Sequence, residues 1–151
     1  MKGQVHFAAT DAGDAQGLLR DFEDEVDALL ALDAGERDTT LLVIAAGMED
    51  FLDFHALTAS AERLLRKRRL AGVLQVASFH PAFVFAGSTE DDITNCTNRS
   101  PWPTLHLLRE ASLDRAVAAF PDPAAIYETN METLRRLGPE GWAALDVGPR
   151  A

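Results

Sequence analysis

This sequence has one cysteine, one tyrosine and no long apolar run, and each shortage excludes a class of protein. A lone Cys96 forms no internal disulfide and suits a reducing compartment, so a cytoplasmic location is expected. No stretch approaches the roughly 18 apolar residues that span a bilayer. The start, Met1-Lys2-Gly3-Gln4, lacks the apolar core of a signal peptide, so no membrane association is expected. Positive charge is also scarce. Fourteen Lys and Arg face 24 Asp and Glu, a net charge of −10, which opposes phosphate backbones and predicts no nucleic-acid partner. Glycine-rich phosphate loops, the Gly-x-Ser-x-Gly elbow and the His-Glu-x-x-His zinc signature are missing as well.

What is present suits one domain. At 151 residues the chain is long enough to bury a sizeable core, and we expect a single α/β domain over residues 1–138 followed by a loosely ordered tail, 139–151. Val5, Phe7 and Ala9 alternate with His6 and Ala8, predicting a strand over about 4–10. From Asp14, the residues Leu18, Leu19, Phe22, Val26, Leu29 and Leu30 recur at helical spacing, with an acidic outer face at Asp21, Glu23, Asp24 and Asp27. The run Thr39-Thr40-Leu41-Leu42-Val43-Ile44-Ala45-Ala46 reads as a central strand buried on both faces. Phe51, Phe54, Leu57, Ala61, Leu64 and Leu65 then mark a second helix ending near Gly72. The cations Arg63, Arg66, Lys67, Arg68 and Arg69 sit at its carbonyl end. A third strand, 73–79, stops at His80-Pro81, and Phe83, Val84 and Phe85 fit a short edge strand before Gly87, though a packed loop would look the same in sequence.

The stretch 95–110 is the densest in polar groups. Ser100 suits an N-cap and Pro101 the first turn of a helix, which we expect over 101–119. Such a helix would align Trp102, His106, Arg109 and Leu113 on one face. A last helix opens at Asp122-Pro123 and runs toward Gly138-Pro139. The strand-helix-strand-helix-strand order, with two C-terminal helices, predicts a layered α/β fold around a small sheet of three to four strands. Ligands of such sheets bind beyond the carboxyl ends of the strands, where His80 lies.

At Ser78-Phe79-His80-Pro81, Phe85-Ala86-Gly87, Asp92, Thr97-Asn98-Arg99-Ser100-Pro101 and Leu105-His106-Leu107-Leu108-Arg109-Glu110 the chain resembles the bacterial proteins grouped as domain of unknown function 1415. The resemblance extends from Lys2-Gly3-Gln4-Val5 to Leu134-Arg135-Arg136-Leu137-Gly138, nearly the whole chain. It implies no particular activity. It also implies an upstream segment with a Cys-Pro-Phe motif, which this sequence lacks, so that a pocket completed by that segment would be incomplete here. Trp102 stands where similar proteins carry tyrosine.

Three chemistries are open to these residues. His80 and His106 with Asp91 or Asp92 form a candidate ligand set for a divalent metal, since two imidazoles and a carboxylate suit zinc, manganese or iron. Such a metal would activate water for hydrolysis. Asn98, Arg99 and Ser100, with Arg109, form a candidate cradle for an anionic small molecule, because a helix start at Ser100 would offer free N–H groups and Arg99 a bidentate clamp. Cys96 as a nucleophile is the weakest, since a single cysteine among Asn and Thr suits a buried filler. The leading expectation is a cleft for an anionic small molecule with metal-assisted hydrolysis. The alternative is a non-enzymatic interaction or scaffold protein, in which the same polar residues lock the long loop.

Overall fold

The structure, a computed structural model, describes residues 3–147. Strand β1 (Val5–Thr10) leads into helix α1 (Ala15–Leu30), β2 (Thr39–Ile44), α2 (Phe51–Lys67) and β3 (Leu74–Phe79). A 3₁₀ helix, Ile93–Asn98, precedes β4 (Thr104–Arg109), which passes directly into α3 (Glu110–Ala118), and α4 (Pro123–Ala143) follows. The fold is therefore α/β, as the alternation of patterns predicted. Local chemistry starts each long helix: the Asp14 carboxylate accepts from Gly17 N–H, and Asp50 accepts from the amides of Leu52 and Asp53.

The sheet has four strands in the order β1-β2-β4-β3. β1 runs parallel to β2, while β4 lies antiparallel to both β2 and β3. The three strands joined by helical crossovers thus share one direction, and the fourth returns between two of them. Registers such as Ala8↔Leu42, Leu42↔Leu105 and Val76↔Leu107 align one face of side chains across the sheet. Against that face α1 and α2 place Leu18, Phe22, Val26, Leu29, Phe54, Leu57 and Leu65, all buried with Leu42, Ile44, Leu105 and Leu107. Full burial of a side chain such as Phe22 or Phe54 stabilises by about 1.5–3 kcal/mol.

Among the described residues no comparable helical layer covers the opposite face. Alternation puts Val5, Phe7 and Ala9 of β1 there, in register with Thr39, Leu41 and Val43 of β2. Thr104, His106 and Leu108 of β4 and Gln75, Ala77 and Phe79 of β3 complete it. Central β2 is consequently buried on one face and half-buried on the other, which corrects the expectation of burial on both. α3 buries no residue, and α4 packs on the 3₁₀ helix.

Two further expectations are overturned. Residues 101–109 do not start a helix: Pro103 O accepts from Ile44 N–H at 2.9 Å, and the ladder with β2 and β3 takes over at Thr104. Leu105 and Leu107, two apart and both buried, were the strand signal, while proline before the first ladder residue is an ordinary strand opening. Residues 83–85 form no strand; their aromatic rings fold back as a T-shaped pair, Phe83 with Phe85, at 4.9 Å. Helix α4 also continues past Gly138, which takes φ 68° and ψ 174° and lets Pro139 restart the helix after a kink.

The acidic and basic stretches face each other across the helical layer. Arg68, closing α2, pairs with Asp27 at 2.5 Å and Glu23 at 3.5 Å on α1. Both are exposed enough to contribute little individually.

Candidate functional site

The sharp turn after β2 sets the geometry at the carboxyl end of the sheet. Gly47 adopts φ +81°, and a Cβ there would stand 2.6 Å from Gly13 O, so only glycine lets the two loops touch. Met48 follows, also left-handed at φ 61°. His80, 1% exposed at the end of β3, holds this turn. Its Nδ1 accepts from Ala82 N–H at 3.0 Å, which leaves the proton on Nε2 to donate to Met48 O at 2.8 Å. The ring packs between Phe54 and Phe51, at 5.1 and 5.4 Å. Both ring nitrogens are thereby occupied by backbone partners.

The loop over 80–100 is pinned by side chains that reach backbone groups. Asn95, fully buried, accepts from Phe85 N–H at 3.0 Å and donates to Thr89 O at 2.7 Å. Asn98 donates to Ser78 O at 3.1 Å while its own carbonyl accepts from His80 N–H. Arg99 donates through Nε to Phe83 O at 3.1 Å and through Nη2 to Glu90 O at 2.8 Å. It forms no ion pair among the described residues and clamps two backbone carbonyls instead. Asp92 caps the 3₁₀ helix instead. The Thr94 hydroxyl and amide donate to it and hold its carboxyl below the usual range, with smaller help from Ser88 and Arg135. Cys96 is buried within that helix.

Asn98 to Ser100 therefore lie at the carbonyl end of a short helix, not at the N–H end of a long one. The dipole that would have favoured an anion is reversed there. Ser100 donates to Trp102 O at 2.5 Å rather than capping a helix. A hollow of about 550 Å³ does open beside this segment, lined by Pro81, Arg99, Ser100 and Pro101 on one side and Trp142 and Asp146 on the other. Arg109, grouped with these residues from the sequence, is elsewhere: it reaches the carbonyls of Leu29 and Leu32 at the end of α1 and of Arg37 in the loop before β2.

His106 stands on the open face, with Phe79 its ring neighbour at 6.2 Å. The Thr39 hydroxyl donates to Leu107 O at 2.5 Å, so at 2.6 Å from His106 Nε2 it accepts that nitrogen's proton. His80 faces the helical layer and His106 the other side. With Asp92 turned to Thr94, the trio expected as metal ligands is not brought together. Among the described residues no group of three or more His, Cys, Asp or Glu side chains is placed to hold a metal ion. No described helix is long and apolar enough to cross a membrane.

Burial pushes the His106 pKa below the ordinary histidine value of about 6.5. The folded state resists a proton that the unfolded chain accepts. The contribution of His106 is therefore complete above about pH 6.5 and is lost as the pH falls from there toward the folded-state pKa. We expect His106→Gln, which keeps a donor near Thr39, to flatten the decline of the urea midpoint below about pH 6.5. An unchanged slope in the variant would show that other groups set it.

Sequence reasoning missed two features. The open face was signalled by the alternation of Val5, Phe7 and Ala9, which marks apolar residues on one side of an edge strand. The Thr39–His106 pair had no local signal, since it joins strands far apart in the chain. Among known proteins, the sequence profile of the family described as "Protein of unknown function (DUF1415)" matches residues 1–144. No curated protein and no solved structure matches the chain.

Proposed function

The chain belongs to the DUF1415 family, and we propose that it is a non-enzymatic interaction or scaffold protein whose polar residues lock its long loop and whose open sheet face meets a partner. One observation carries this reading: His80, Asn95, Asn98, Arg99 and Arg109 direct their polar atoms at backbone groups of their own chain. Residues so occupied hold structure in place; groups that bind or react need free valences aimed at a common point. Val5 and Phe7, both exposed on β1, support the interaction half of the reading, since adjoining exposed apolar side chains mark contact sites.

A second reading, a cleft for an anionic small molecule, draws support from the hollow beside Arg99, a guanidinium without an ion pair among the described residues. Arg99→Ala separates the two. The structural role predicts a loss of about 1–3 kcal/mol, two carbonyls losing charged donors, and no thermal shift of the wild type with phosphate, acetate or citrate. A phosphate-induced stabilisation that the variant loses would sink the scaffold reading in favour of the cleft.

A further inference from the structure

We propose that the open face of the sheet seats a second copy of this chain, two sheets stacking face to face about a twofold axis. This rests on the interaction reading above and names its partner. The face takes three positions from each of four strands, and none is Asp, Glu, Lys or Arg; Val5, Phe7, Ala9 and Gln75 are exposed, Thr104 is buried and the rest are half-buried. In a chain that is 25% charged and carries −10, an uncharged surface of this extent is where two copies approach with least repulsion. The same absence disfavours a nucleic acid, an anionic bilayer or a charged peptide, each of which needs facing charges.

The edge of the face points the same way. Phe7 is 69% and Val5 45% exposed on β1, where an edge strand of a monomer is ordinarily blunted by charge or proline. Sheet faces pack on one another at about 10 Å, and a twofold axis sets the same patch against itself. Four strands about 4.8 Å apart and six residues long at about 3.3 Å each span roughly 19 by 20 Å. That is on the order of 400 Å² in projection per copy, at the small end for protein interfaces. The dimer is accordingly weak and reversible.

Sedimentation equilibrium from low micromolar to near-millimolar concentration tests this, alongside fluorescence of an apolar dye, anilinonaphthalene sulfonate, on the dilute native protein. The expected mass rises from one chain to two. Phe7→Glu raises the dissociation constant at least about tenfold, with an unchanged circular dichroism spectrum because the position is exposed. Val5→Lys acts likewise, whereas Leu52→Glu, a 74% exposed position on α2, associates like the wild type. A dimer indifferent to both β1 variants overturns the proposal. A wild type that stays monomeric, yet binds the dye and loses it with Phe7→Glu, also overturns the second copy and leaves the face to another partner. A monomer that does not bind the dye removes the interaction reading as well.

Discussion

Replacing His80 with alanine is expected to destabilise the protein by about 3–5 kcal/mol, the range for emptying a well-packed core position. Two causes add. The ring fills the space between Phe51 and Phe54, and its loss leaves a cavity that the close contact of the Gly47 and Gly13 loops cannot collapse into. It also satisfies Ala82 N–H and Met48 O, and an unpaired buried backbone group costs about 1–3 kcal/mol. His80→Phe separates the terms: the volume returns and only the hydrogen bonds are lost, so the expected loss falls to about 1–3 kcal/mol. Urea denaturation monitored by circular dichroism reads both. Equal losses in the two variants would mean that packing contributes nothing, and no loss in either would remove the clamp from the account of this turn.

Arg109→Ala is expected to cost about 2–4 kcal/mol, because hydrogen bonds from a charged donor are worth more than neutral ones. Nη2 lies 2.8 Å from both Leu29 O and Leu32 O and 2.9 Å from Arg37 O, and Nε lies 3.2 Å from Arg37 O. Leu29 is in the last turn of α1, where no basic side chain of the helix itself meets the exposed carbonyls. The guanidinium supplies that cation from β4, tying the helix end and the loop before β2 to the middle of the sheet. Lysine is a single rotating point charge and cannot span those carbonyls, so Arg109→Lys should recover less than half of the loss. Hydrogen exchange gives the location: protection should fall first over the last turn of α1 and the loop to Thr39. A uniform loss across the domain with no such focus would contradict a local tie.

The parts of the fold that could be read in advance were those with a local cause. Asp14 and Asp50 start helices through their own amide neighbours, and the apolar stripes of α1 and α2 repeat within a few turns. β4 was misread because what makes it a strand lies elsewhere. Leu107 pairs with Thr40 on one side and Val76 on the other, and neither partner is visible from the run Thr104–Arg109. The doublet Leu107-Leu108 and the Ser100-Pro101 pair imitate a helix start until those partners are in place. His80 was placed correctly at a strand end, but its role depends on a carbonyl 32 residues away. Arg99 was legible as a clamp and not in what it clamps, since backbone acceptors leave no mark in a sequence.

The position of β4 also sets an order of assembly. Among the described residues β3 has no strand partner other than β4, while β1 and β2 can pair as soon as Ile44 is synthesised. A nascent chain that has reached Pro103 therefore holds a two-stranded ribbon and an orphan strand, joined by a helix. The last strand to emerge is the one that unites them. Sheet formation closes late and over long loops, and until then the edges of β2 and β3 stand unpaired in water.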